Sequence, residues 1–593
     1  MKKTWKWIIG VVGGIILLLL LAGWYYGRNW KPIVKEKLDQ RIAAATHGLY
    51  TLQYDDIDLS LISGNVTLKN VAFRPDSTVY RELVKAEKAP DSRFDVALAS
   101  LKIKGLGIWS ALVAKKLTIR HIAFDTVDFQ MITESQAYNE KIDTSRSESL
   151  YDRVKDVFRA IHVEQSTIDN LHVAFSKIEN GQSDTIKIDS IRVHIHDLLL
   201  DESSLHDSTR VFYTKEIGLE IPGFTYAIPN SVYQVAFDHL VVNTQKQNAL
   251  LTKVALHPRV SKQAYFAQDK QNKAMIVLKW DTLRLEKLDF NELIDRQLIF
   301  ARYAYLHNGT ASFHKDKRYQ QDNVHKIGQA PHQQVMKLNQ RIRFDTVFVA
   351  NTDVSYHEYS AKYNRIGYIT FEKARGNITN LTNDRTHLAK DPYMRADLQA
   401  RLMGSGVLHA QFGFDMLSPA GHHTYKGTLG EMQATAFNRI LTPLLNFEFS
   451  SGIIRRIRFD MQGTDHKNWG TFRFTYDHMK ISLLHAPEGA SEQKKKGALS
   501  FLVNELLVND SNPDASGVYR VGKVEHTRVP EYSHFKTIWK SLQEGIQQSV
   551  GVSKGADQED VPVAEDQPKD KDSRSFIEKT GDFFKGLFKK KDG

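Results

Sequence analysis

Residues 98–131, LASLKIKGLGIWSALVAKKLTIRHIAFDTVDFQM, change hydrophobic period twice within 34 positions. Leu101 and Ile103 alternate with Lys102 and Lys104 at the two-residue spacing of a half-buried strand. Ile108 to Lys116 then reads as a short helix, and from Leu117 to Met131 the two-residue period returns. The same succession recurs in residues 281–313, DTLRLEKLDFNELIDRQLIFARYAYLHNGTASF. Leu101, Ile103, Leu106 and Ile108 align there with Leu283, Leu285, Leu288 and Phe290; after one gap, Ile122 and Phe124 align with Tyr303 and Tyr305. The pattern predicts a repeated module of strand, short crossover and strand.

The flanking sequence has the same character. In residues 50–76, alternating apolar residues run from Leu52 to Leu61 and from Val66 to Phe73, and Ser63-Gly64-Asn65 supplies turn chemistry between them, which predicts a β-hairpin. Further strands are expected at 165–176, 184–200, 210–221, 232–244 and 249–257, with strand pairs at 341–360 and 364–381 and around Gly404 and Gly406. Helices are few. One is predicted over SESLYDRVKDVFRAI (147–161), whose Leu150, Tyr151, Val154, Val157, Phe158 and Ile161 share a face, a second over residues 30–46, and a short one over 434–447 that Pro443 breaks. About 20 strands with brief helices predict a mainly β fold, an elongated twisted groove of many antiparallel strands.

The expected organisation is a transmembrane anchor (1–29), an N-terminal β-rich lobe (30–315), a polar His- and Gln-rich linker (316–340), a C-terminal β-rich lobe (341–552), a disordered tether (553–575) and a basic amphipathic helix (576–593). The anchor rests on Trp7 to Tyr26, an uncharged run of 20 residues. At about 1.5 Å per residue such a helix crosses the roughly 30 Å hydrocarbon core of a bilayer. Trp7, Ile8, Ile9, Val11, Ile15, Ile16, Leu17, Leu18, Leu19, Leu20 and Leu21 form its apolar body, while Trp24 and Tyr25 belong to an interfacial aromatic belt. A cleaved signal peptide would have a shorter apolar core and a small-residue cleavage site. Lys2, Lys3 and Lys6 precede the span, and Arg28, Lys31, Lys35, Lys37 and Arg41 follow it. Charge bias alone opposes export of the body, but long domains translocate largely regardless of it, so the N-terminus is expected in the cytoplasm and the body across the membrane. At the other end, Phe576, Phe583, Phe584, Leu587 and Phe588 fall on one helical face, with Lys585 and Lys589 beside them, a pattern that suits a membrane surface or a partner groove.

The net charge of +11 comes from 80 basic and 69 acidic residues interspersed along the chain, which describes a solvated surface and gives no basic stripe for nucleic acid. The chain has no cysteine, which excludes disulfides, Cys-ligated metals and thiol nucleophiles. No phosphate-binding or dinucleotide-type Gly-rich loop, GxSxG, HExxH or EF-hand pattern is present. The best metal candidates are His194 and His196, on one face of a strand, with His422 and His423 elsewhere; two imidazoles need a third ligand, so an exposed polar strand face accounts for the first pair. Asp55 and Asp56 read as solvated or turn-directed. No catalytic, cofactor or metal residue is nominated.

The short lysine tail and single span, the hairpin DIDLSLISGNVTLKNVAFRPD, the module LKIKGLGIWSALVAKKLTIRHIAFD and the later stretch GTLGEMQATAFNRILTPLLNFEFSSGIIRRIRFDMQG together resemble the AsmA-like family of bacterial envelope proteins. The resemblance covers the anchor, about the first hundred residues of the body and residues 425–463, through apolar spacing and glycine placement. It implies an inner-membrane protein with a periplasmic body, a β-groove related to bridge-like lipid transfer proteins, and support of outer-membrane biogenesis. The chain is shorter than the largest members. The expected partners are phospholipid or another envelope lipid, the membrane, and an outer-membrane assembly protein. The alternatives are an assembly factor acting by strand addition to outer-membrane proteins and, with no nucleophile and base pair to nominate, a hydrolase of envelope polymers.

Overall fold

The computed structural model describes residues 40, 42, 46, 48–60, 63–139, 150–155, 157–179, 182–271, 273–319, 324–484, 509–551 and 556–560. It is mainly β, and its strands divide between two compact units: residues up to 226 with 237–251, and residues 227–236 with those from 252 onward.

The first unit begins with β1 (Tyr50–Gln53), β2 (Asp56–Ser60) and β3 (Asn65–Pro75), followed by α1 (Ser77–Lys85) and β4 (Ser92–Lys104). Then come α2 (Ile108–Ala114), β5 (Lys116–Glu134), α3 (Leu150–Val154), β6 (Ala160–Glu179), β7 (Gln182–Leu200) and β8 (Thr214–Ile221). The segments β9 (Phe224–Ala227), β10 (Tyr233–Phe237), β11 (His239–Asn243) and β12 (Asn248–Pro258) follow. The second unit continues with α4 (Lys262–Gln268), β13 (Met275–Leu288), α5 (Phe290–Arg296), β14 (Leu298–Asp316), α6 (Pro331–Met336), β15 (Arg341–Ser360), β16 (Arg365–Thr382), α7 (Arg385–Leu388) and β17 (Tyr393–Leu402). It ends with β18 (Gly406–Asp415), β19 (His423–Leu429), β20 (Met432–Gln433), α8 (Asn438–Leu445), β21 (Phe447–Gly463), β22 (Lys467–Leu483), β23 (Val518–Thr527), α9 (His534–Ser549) and β24 (Ala556–Asp560).

The sequence repeat is part of a longer duplication. β1 pairs with β3 from Tyr50↔Pro75 to Gln53↔Ala72, and β10 pairs with β12 from Tyr233↔Pro258 to Ala236↔Ala255, about 183 residues later. In both copies a strand leads through a seven-residue helix into an antiparallel 19-residue strand (β4–α2–β5 and β13–α5–β14). In both, that strand is followed by a parallel neighbour (β5 with β6, β14 with β15) and then an antiparallel one (β7, β16). Left-handed backbone recurs at matching places: Asn70 and Lys253, Lys115 and Gln297, Thr126 and Asn308, Ser190 and Lys373, Asp197 and Asn380. Residues with Cβ atoms rarely adopt that conformation, so the shared positions are irregularities built into both copies. A third strand–helix–strand step, β20–α8–β21, also closes its helix with a left-handed residue, Asn446.

Several expectations change. The order is mostly antiparallel as expected, but β5 with β6 and β14 with β15 pair in parallel, because the segments before β6 and β15 return the chain to the end where the previous strand began. Among the described residues, the helix expected over 147–161 is α3 alone; Ala160 and Ile161 open β6 beside Lys116 and Leu117, so strand pairing wins over helical periodicity there. Pro443 lies inside α8, five positions after its start. Residues 331–336, inside the polar linker, form α6, where the Gln333 side chain accepts from the Ala330 backbone at 2.9 Å. Residues 556–560, inside the tether, form β24 against β23; backbone pairing needs no apolar side chains, and Lys523 meets Asp557 at 2.6 Å. Most of the helix expected at 30–46 lies outside the described residues.

Candidate functional site: the apolar sheet faces

In the first unit, register turns the alternating sequence into rows of apolar side chains across the strands. One runs Val66, Ile103 and Ile122; the next Leu68, Leu101, Phe124, Ile168, Val193 and Leu219; the next Val71, Leu98, Val127, Leu171 and Ile191. A further row runs Phe73, Val96, Phe129, Val173 and Ile188. The opposite face carries Lys102, Asp125, Asp128, His172 and His194. Val66, Leu68, Val71, Ile103, Ile122, Val127, Val173 and Ile191 are buried, whereas Leu98, Leu101, Phe124, Ile168, Leu171 and Val193 keep part of their surface and Phe175 is exposed.

Length explains why parts of the longer rows stay accessible. β5, β6 and β7 contain 19, 20 and 19 residues, so each runs about 63 Å or more, whereas the seven-residue α2 is roughly 10 Å long. Helices of this size cover only strand ends. There Val154 and Phe158 belong to a core with Leu117, Ile119, Ile161, Val163 and Leu200 that also takes in Val66, Leu68, Val71, Ile103 and Ile122 of the rows. Among the described residues no helix crosses the middle of the rows.

The second unit shows both arrangements. Across β13–β16, Leu285, Ala304, Val347 and Ile378 form one row, and Leu278, Ala311, Val354 and Phe371 another. Ala304, Ala311 and Val347 are buried, while Leu278, Leu285, Val354, Phe371 and Ile378 are half-buried. From β19 to β23 the apolar face is filled instead. The 16-residue α9 packs on β22 and β23, and Tyr425, Ile454, Met461, Phe472, Phe474, Tyr476 and Val524 are all at most 3% exposed. An open apolar groove of the kind the sequence suggests therefore does not extend to β19–β23.

At the margin of that filled region, three segments far apart in sequence bring together His332, His423 and His534, at most 5% exposed, around Phe414. Both nitrogens of His332 and Nε2 of His423 and of His534 have no hydrogen-bond partner. Burial pushes the pKa of His534 down to about 2 and that of His332 to about 4, with neighbouring histidines adding to the shift, and also lowers that of His423. Next to them the Arg528 guanidinium donates to the Lys326 carbonyl at 2.6 Å and the Tyr532 carbonyl at 2.8 Å, and contacts Asp465 Oδ1 at 3.4 Å. Of the three only His423 stands out in the sequence, beside His422, and no spacing rule links positions 332, 423 and 534.

On β7, His194 and His196 have ring centroids 5.9 Å apart, and His194 Nε2 lies 3.6 Å from Glu216 Oε1. Among the described residues no group of three or more His, Asp or Glu is arranged to hold a metal ion. Asp55 accepts from Asn70 at 2.6 Å and Asp56 from the backbone of Ile57 at 2.8 Å, both local roles. On the polar side of the second unit a shallow depression is lined by Asn377, Thr379, Arg395, Asp397, Gln411 and Lys426. Hydrogen bonds from Gln411 and His409 hold the Asp397 carboxyl below its ordinary range.

The anchor residues Trp7–Tyr25 and the C-terminal residues Phe576–Lys589 lie outside the described residues, and among the described ones no helix is long and apolar enough to cross a membrane. No family model matches the chain, and no curated protein matches it.

Proposed function

We propose that this chain is a nonenzymatic, membrane-anchored, AsmA-like lipid-handling protein of a bacterial envelope. The span at 7–26 tethers it to the inner membrane, its N-terminus is cytoplasmic, and its periplasmic body forms a β-groove that holds acyl chains and supports outer-membrane biogenesis. The observation that carries this reading is the group Leu98, Leu101, Phe124, Ile168, Leu171 and Val193 in the apolar rows crossing β3–β8, which stay partly exposed between buried neighbours. Such a surface takes hydrocarbon without a directional contact, because each CH₂ removed from water contributes about 0.8 kcal/mol. Rows of aliphatic and aromatic side chains several strands wide suit a flexible chain better than a compact polar substrate.

The test is mass spectrometry of lipid retained by the chain after mild extraction. The native protein is expected to carry phospholipid, and Phe124→Asp combined with Leu171→Asp, at half-buried positions, is expected to carry far less while keeping its β circular dichroism. Absence of lipid from the native chain, under conditions where a known carrier retains it, would overturn the proposal.

A further inference from the structure

We infer that helix α2 is a docking element for the surface of an anionic phospholipid bilayer. Ala111 faces inward at 3% exposure, whereas Trp109 and Val113, one helical turn apart, are 73% and 79% exposed and form a small outward apolar face. From Val96 to Phe124 the chain has five lysines and arginines and no Asp or Glu. Arg159 joins them, since its backbone N–H donates to the Lys115 carbonyl at 2.8 Å. Among the described residues, none of Lys104, Lys115, Lys116, Arg120 and Arg159 is in an ion pair.

The duplication supplies an internal comparison. α5 has the same seven-residue length and the same left-handed C-cap, Gln297 in place of Lys115, and it joins the equivalent strands. At the positions of Trp109 and Val113 it carries Asn291 and Asp295, and Glu292 pairs with Arg296 at 3.0 Å. The crossover therefore folds with polar residues there, so neither Trp109 nor Val113 is required for packing. An exposed tryptophan on a helix whose flanking segments carry unpaired cations matches the interfacial zone of a bilayer, where the indole sits at headgroup depth and the cations meet lipid phosphates. An apolar groove on a partner protein would account for Trp109 and Val113 and leave the cations unexplained.

This inference rests on the membrane-anchored reading above, and the test separates the two. Because the chain has no cysteine, Val113→Cys or Asp295→Cys in the full chain gives a single site for a nitrobenzoxadiazole label. The labelled chains are reconstituted into vesicles of phosphatidylcholine alone or mixed with phosphatidylglycerol, each with doxyl-labelled lipid as quencher. The expected result is quenching at position 113 in phosphatidylglycerol vesicles, several-fold above that at position 295 and above that in neutral vesicles, and lost when Trp109→Glu is added. Equal quenching at the two positions, none at 113, or no dependence on phosphatidylglycerol would overturn the docking while a chain that still floats with the vesicles leaves the anchor standing. A chain that floats with neither vesicle overturns both readings.

Discussion

The imidazole of His534, on α9, stands edge-on to that of His423, on β19, with ring centroids 4.5 Å apart and planes at 70°. Both rings are buried without a partner for Nε2, and His332 completes the cluster. A proton on any of them would be buried beside other imidazoles and the Arg528 guanidinium, with Asp465 as the nearby carboxylate. The unfolded chain takes up protons near the ordinary histidine pKa of 6.5, while the folded rings resist them until about 4 for His332 and about 2 for His534. Stability is thus fully present above pH 6.5 and falls as the pH drops through the window between 6.5 and these lowered values. Thermal unfolding from pH 7 to pH 4.5 is expected to show a steadily falling midpoint, and His534→Phe to flatten the decline. A midpoint indifferent to pH over that range would contradict the buried neutral cluster.

Removing Arg528 should be costly. Its side chain is 1% exposed and contacts Asp465, which Gln333 of α6 also reaches at 2.7 Å. Arg528→Met leaves that carboxylate buried with one partner fewer and the carbonyls of Lys326, Asp465 and Tyr532 without this donor, a change of about 3–5 kcal/mol for a broken buried pair. Chemical denaturation should show the loss, and Asp465→Asn in the same background should recover part of it.

The filled and open parts of the apolar surface should respond differently to the same truncation. Phe472, 1% exposed and lying 2.5 Å from a Cβ built on Gly545 of α9, should lose about 3–5 kcal/mol on Phe472→Ala. Phe124 is half-buried in the uncovered rows, so Phe124→Ala should cost clearly less in denaturant unfolding. Equal losses would mean that the rows are covered after all.

Gly376, on β16, has φ +143°, and a Cβ there would lie 2.0 Å from the carbonyl oxygen of Asp397 on the neighbouring strand. Gly376→Ala must shift that pair, and a residue forced into such backbone costs roughly 1–3 kcal/mol. A lowered unfolding midpoint is expected, whereas Gly328→Ala, with open space around its Cβ position, should cost only its positive-φ strain.

Period and turn chemistry determined the mainly β class, most strand positions and the first sign of duplication, because alternation of polar and apolar residues reports directly which face of a pleated strand meets water. The same local signals misplaced the helix at 147–161, where Val157, Phe158 and Ile161 fit a helical stripe and yet serve a turn and the start of β6. Only the tertiary structure decided which apolar faces were filled. Leu101 and Phe472 sit in equally regular alternation, but α9 packs against the strands of one while helices of about seven residues stop at the ends of the strands of the other. The tertiary structure also decided the grouping of His332 with His423 and His534, and the outward aim of Trp109. Each of these depends on which segments meet across the sheet, and strand register joins positions separated by tens to hundreds of residues that no local period connects.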